Sequence, residues 1–265
     1  MRTGRFFLAE LRKTATLPAA WAGIAVALLG SAAITVLNAF TVRGAVAAGT
    51  PGMVADTSAF EAGFAAMPIV GVVGAVVVGV TAIGSEYTAD RAESGGARQI
   101  STTLAVAPQR LSLFTAKAAV VLTFVALAAL LTIPGNIALA QAIIGDAGTE
   151  TVSAADAVSR SLGTALYWAL MGLLAFSITA LARSGIIPLI VLIANGSVVS
   201  FSLLLSMLTP LAHWLPDLAG RKLFGFPGEF VLEGGLDPVP GAIVMAGWTA
   251  VMLVVSGVVF NRRDA

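Results

Sequence analysis

"GSEYTADRAESGGARQISTTLAVAPQR", residues 84–110, is a polar, charged stretch that parts two of the most apolar runs in the chain, 64–84 and 113–143. A hydrocarbon core about 30 Å thick is crossed by about 20 apolar residues at helical rise. Both flanking runs reach that length, so the stretch reads as a loop at the surface of a bilayer that its neighbours cross. The same criterion applied outward gives six runs: 18–42, 64–84, 113–143, 162–182, 186–209 and 241–260. The expected fold is a single all-α transmembrane domain over residues 1–265, with six spans.

Composition agrees. The chain has 265 residues, 58% hydrophobic and 11% charged, with mean hydropathy +0.94. Soluble domains average about 25% charged residues. The net charge of +1 and the lack of a dense basic patch exclude nucleic acid as a partner. Cysteine is absent, which excludes disulfides, thiolate metal sites and thiol nucleophiles. A single histidine, His213, leaves no zinc or iron constellation, and it reads as a surface or interface residue.

The first run follows Arg2, Arg5, Arg12 and Lys13 and exceeds the 7–15 residues of a signal-peptide core, so an uncleaved first span is expected. Six spans with an inner N-terminus place Arg2, Arg5, Arg12, Lys13, Arg91, Arg98, Arg110, Lys117, Arg183, Arg262 and Arg263 in the cytoplasm. Only Arg43, Arg160, Arg221 and Lys222 stay outside, a clear positive-inside bias. Both termini are therefore expected in the cytoplasm. In residues 3–16, Phe6, Phe7 and Leu11 oppose Arg5, Glu10, Arg12 and Lys13, which suits an amphipathic helix along the inner surface, against the plainer reading of a basic flank.

The outer loops are expected at 43–63, 144–161 and 210–240. In the last, Leu211, Trp214, Leu215 and Leu218 fall at helical spacing, which fits either an interfacial or re-entrant helical element or a loop collapsed on the helix ends.

No Asp, Glu, Lys, Arg or His lies in the central portion of any span. Ion-coupled carriers place ionisable groups there, and membrane-embedded hydrolases need paired carboxylates, His ligands or an activated nucleophile, so both classes are disfavoured. Asn136, Gln141, Tyr167 and Asn195 are among the polar residues of the spans, expected to hydrogen-bond between helices. Gly71, Ala75 and Gly79, four apart, offer a small-residue face for close helix approach, and Pro134 and Pro188 read as kinks or helix starts. The lysines, Lys13, Lys117 and Lys222, follow Arg, Ala and Arg, so no Gly-Lys-Ser/Thr phosphate loop exists. The chain has no means of its own to use ATP.

Within the opening stretch, Ser94, Gly95 and Gly96 suit a turn into a short helix. Ile100, Leu104 and Ala107 recur at i, i+4 and i+7 over 97–107, Arg98, Gln99, Ser101 and Thr102 supply a wet side, and Pro108 stops the helix. The plain alternative is a connector lying on lipid.

"EY" at 86–87, "TTLAVAPQR" at 102–110 and "AK" at 116–117 resemble the first cytoplasmic loop of the membrane subunits of type-2 ATP-binding-cassette (ABC) exporters. A basic surface helix, six spans, an outer element before the sixth span and the missing ATPase domain are similar too. The resemblance implies that 85–112 carries a coupling helix seated in a separate cytoplasmic ABC ATPase subunit, present in two copies. Glu86 and Tyr87 would then brace the end of the second span. Ile100, Thr103 and Leu104, beside Arg98, would face the ATPase, Pro108 would end the helix, and Arg110 and Lys117 would mark re-entry into the membrane. The stretch from Glu86 to Leu104 is longer than the compact family form. A second membrane subunit, identical or similar, would complete the path in a bacterial inner membrane. No cofactor belongs to this chain, ATP and Mg being held by the partner, and the cargo would be a hydrophobic or amphipathic drug, lipid or peptide. The alternative is a membrane scaffold or assembly protein without transport of its own.

Overall fold

A computed structural model describes residues 2–87, 109–195, 200–226 and 234–262. Among these residues there are helices and no strands. Five helices are long and apolar enough to cross a membrane: α2 (Pro18–Ala47), α3 (Ala59–Tyr87), α4 (Arg110–Ala147), α5 (Ala154–Ala182) and, last in the chain, α9 (Pro238–Arg262). Ahead of them lies α1 (Arg2–Ala15), and between α5 and α9 come the short helices α6 (Ile186–Asn195), α7 (Phe201–Ser206) and α8 (Pro216–Ala219). The chain is an all-α, multi-pass membrane protein. The run read as one span over 186–209 is present as α6 and α7, with 196–199 outside the described residues.

Local chemistry sets the helix ends. Ser58 caps α3 by accepting from the backbone N–H of Glu61, and Ser153 caps α5 by accepting from Asp156, each acid lying in the first turn where the helix dipole favours it. Arg183, at φ 50°, closes α5 in the left-handed region. Pro188 lies in the first turn of α6, while Pro134 lies inside α4.

The centre of the bundle is α3 against α5, with α2 and α4 beside them. The small-residue face of α3 makes this possible. A Cβ added at Gly71 would come 1.7 Å from the Trp168 ring, and one at Gly79 would come 2.1 Å from the Gly172 carbonyl oxygen. Gly74 meets Gly23 of α2 in the same way, its added Cβ lying 2.6 Å from the Gly23 oxygen. Backbones this close give α3 many dispersion contacts where no hydrophobic drive between helices exists. Trp168, fully buried, donates its indole N–H to the Met67 carbonyl oxygen at 3.2 Å and is fixed in the gap.

A side-chain pair also crosses the interior: Asn136 of α4 donates to Ser31 Oγ of α2 at 2.8 Å, as expected of a polar residue in a span. Tyr167 and Asn195 differ. Tyr167 donates to the backbone oxygen of Asp217, and Asn195 pairs with Ser202, so both bind the segment before α9 or its approach rather than another span. Residues 210–226 form a chain of short turns, Pro210–Trp214, α8 and Arg221–Phe224, packed on α5, α7 and α9. The helical spacing of Leu211, Trp214, Leu215 and Leu218 does not become one face. Pro216 restarts the helix, so Leu218 is buried while Leu211 and Trp214 remain exposed. His213, expected at a surface or interface, is buried at 8% exposure in the 210–214 turn.

Gly79→Ala should destabilise the protein by roughly 1–3 kcal/mol, because the new methyl group meets backbone that cannot rotate away. Gly135→Ala, where nothing lies within 4 Å of the added Cβ, should be neutral or stabilising. Thermal unfolding of both variants in detergent checks this, and equal melting temperatures would contradict the packing described.

Candidate functional site

One end of the bundle gathers the ends of α1, α3 and the start of α4. Glu86 closes α3 and is fully buried, and Lys117, two turns into α4, is 1% exposed. Two ionised groups so deeply removed from water persist only when paired. Lys117 Nζ lies 2.8 Å from Glu86 Oε1 and 2.5 Å from Glu10 Oε2, and it donates to the Ala82 carbonyl oxygen at 3.1 Å. Those three acceptors satisfy all three ammonium protons. Glu86 Oε1 also accepts from Lys13 Nζ at 2.5 Å. The cluster thus holds two lysines and two glutamates with no residual charge.

Three chain segments meet there. Glu10 and Lys13 come from α1, whose Phe7 and Leu11 pack on the main core below them. Tyr87, next in the chain, donates to the Ala180 carbonyl oxygen at 3.4 Å and so ties the end of α3 to α5. Arg110 is the first residue of α4. Of the residues that the sequence singled out, Glu86, Tyr87, Arg110 and Lys117 are therefore gathered at this end, with Glu86 and Lys117 in contact. Arg98, Ile100, Thr103, Leu104 and Pro108 lie outside the described residues.

The sequence reading missed Glu10 and Lys13 as members of the cluster. The available signal was that Glu10 is the only acid among the first 17 residues, placed within a basic helix. Helical periodicity marks such a residue as polar-face. It carries no information on a partner 107 positions away.

A second cluster occupies the far end. Arg160 makes a two-pronged pair with Glu61, Nη1 to Oε1 at 2.5 Å and Nη2 to Oε2 at 3.0 Å, and donates from Nε to the Phe224 carbonyl oxygen at 2.9 Å. Its guanidinium lies over Phe60, Phe64 and Phe226, with centroid distances of 4.8, 4.9 and 5.4 Å. Ser58 donates to Glu150 Oε1 at 2.5 Å, and Thr151 donates to Asp56 Oδ2 at 3.0 Å. This joins α3, α5 and the 221–226 segment through charge-assisted bonds.

In the near-end cluster both carboxylates are committed to ammonium groups, so the arrangement fastens segments together and offers no reactive group. Among the described residues, no three His, Cys, Asp or Glu side chains are placed to hold a metal ion. Comparison with protein-family models, curated proteins and solved structures returns no match.

Lys117→Met should cost about 3–5 kcal/mol, since it leaves two buried glutamates facing one lysine. Adding Glu10→Gln restores charge balance, with Lys13 still on Glu86, and should recover much of the loss. A double-mutant cycle read by thermal unfolding checks this. Additive losses would show that Lys117 and Glu10 are not coupled.

Proposed function

We propose that this chain is the membrane subunit of an ATP-driven exporter of the type-2 ABC kind, taking its energy from a separate cytoplasmic ATPase subunit. In this reading the near end faces the cytoplasm and 186–209 crosses as a fifth span in two pieces, giving six spans. The 84–110 loop docks the ATPase. Two membrane subunits and two ATPase subunits make the working assembly, and ATP with Mg is bound by the ATPase.

The observation that carries the reading is the buried Glu10–Lys13–Glu86–Lys117 cluster. It stands at both roots of the 84–110 loop, with Glu86 on the chain entering it and Lys117 on the chain leaving it. A loop that only connected two spans would not need its roots fixed by a desolvated charge network to each other and to a surface helix. A loop that receives force from a partner does, because force is passed on only through groups that do not slip. The lack of a Gly-Lys-Ser/Thr phosphate loop in these 265 residues agrees with the same reading. The spans, charge-free at their centres, favour a hydrophobic or amphipathic cargo such as a drug, lipid or peptide.

Leu104→Asp should leave membrane insertion intact and abolish co-purification with the ATPase subunit, because an ionised carboxylate is costly to bury in an apolar groove. Undiminished co-purification would refute the docking role and favour a scaffold instead. The topology is tested separately in this cysteine-free chain. Single cysteines at Ser94 and Ser153 should react with an impermeant maleimide from opposite sides of the membrane, and labelling of both from one side would rule out the six-span arrangement. ATPase stimulation of the purified complex by a panel of hydrophobic compounds identifies the cargo.

A further inference from the structure

At the far end a carboxylate is buried without a cation. Asp217 is 7% exposed and makes no ion pair among the described residues. Its Oδ1 accepts from Ser202 Oγ at 2.9 Å. Ser202 is in turn held by Asn195, whose Nδ2 donates to Ser202 Oγ at 3.0 Å and whose Oδ1 accepts from the Ser202 backbone N–H at 3.1 Å. The Asp217 backbone oxygen accepts from Tyr167 OH at 3.1 Å. Four elements therefore converge on one residue: the end of α6, the start of α7, α8 and the middle of α5.

Among the described residues, the hydrogen-bond partners of the carboxylate are neutral. The charged or titratable groups on the elements packed about it are few. His213 belongs to the 210–214 turn, and Arg221 and Lys222 to the 221–224 turn, where Lys222 is paired with Asp237 at 3.4 Å. Tyr167 belongs to α5, with Asp156 and Arg160 towards its start, and α9, which packs on α8, carries only Arg262 at its last position. The helices α6 and α7 carry no charge at all.

We propose that the Asn195–Ser202–Asp217 cluster is a proton-operated latch, in which protonated Asp217 holds the α6–α7 segment against the 210–226 segment and loss of the proton releases it. A neutral carboxyl fits this dry site, and with its own hydrogen it can bond back to Ser202 or Asn195. An ionised carboxylate there makes no ion pair among the described residues and draws water or a cation between the segments, which separates them. Burial pushes the Asp217 carboxyl up from its ordinary range, against the opposing bonds from Ser202, from its own and the Leu218 backbone N–H, and from Asn195. The folded protein then keeps this proton over a pH interval in which the unfolded chain has released it. The latch's contribution to stability is complete below the ordinary Asp range and is lost as pH rises through the raised value. This reading stands apart from the exporter proposal, because it uses only the far end of the molecule and needs no partner.

The test uses the full chain in detergent, where both ends are accessible. Ala212, 1% exposed on the turn that packs against α7, is replaced by cysteine, and its maleimide reaction is divided by that of a cysteine at exposed Thr50 to cancel thiol ionisation. The ratio should rise severalfold between about pH 5 and about pH 8. Asp217→Asn, permanently neutral, should hold the ratio low throughout, while His213→Gln should keep the rise. A flat ratio in the parent, or an unchanged rise in Asp217→Asn, would overturn the latch, and loss of the rise in His213→Gln would assign it to the histidine. If Asp217→Asn does not fold, Asn195→Ala decides. It uncouples α6 from Ser202 and should label fast at every pH, and slow, pH-dependent labelling in it would equally overturn the proposal.

Discussion

A buried ammonium group needs partners for its three protons, and Lys117 finds them in Glu10, Glu86 and the Ala82 carbonyl oxygen. That single requirement fixes the near end of the bundle. It places α1 under the start of α4, fixes the end of α3 beside both, and determines where the polar loop between α3 and α4 begins and ends. Lys13 also lies on Glu86, so loss of either glutamate leaves two lysines against one carboxylate. A buried charge network is weak as a source of stability and strong as a source of register, which is the property that this end of the molecule uses.

The sequence made some of this legible and left the rest hidden, for physical reasons. Bilayer thickness sets the length of an apolar helix, so the long helices could be read from hydropathy alone. The 186–209 run could not be divided that way. Hydropathy sums side chains without regard to hydrogen bonds, and the feature that distinguishes α6 from α7 is Asn195 turning its amide onto Ser202. The glycine face of α3 was visible as spacing, but spacing does not name its partner. Only the structure supplies Trp168 and Gly172 of α5 and Gly23 of α2.

Long-range charge pairing was the least legible feature. Glu86 and Lys117 drew notice through the resemblance of "EY" and "AK" to an exporter loop. Glu10, Lys13, Glu61 and Arg160 did not, because each looks like an ordinary flank or loop charge until folding brings it within 3 Å of its partner. Asp217 was hidden for a related reason. It lies in the 210–240 stretch read as an outer loop, where solvent is the usual surrounding. The inward turn at 210–214 and the restart of the helix at Pro216 bury it instead.

Charge is thus confined to the two ends, and the interior between them is joined by shape. Ion pairs at the near end hold α1, α3 and α4; at the far end Arg160 and Glu61 hold α5 to α3. Between these points the α3–α5 contact is carried by glycine and a locked tryptophan, with the Trp168 ring so close to Gly71 and the Gly172 carbonyl oxygen so close to Gly79 that neither helix can slide without a clash. Close packing of this kind moves as a unit or switches between discrete arrangements; it does not deform smoothly. A displacement of the chain at Glu86 is therefore applied to α3 and α5 together, and the far-end pair of Glu61 and Arg160, carried on those same two helices, lies on the path by which it would be felt at the opposite surface.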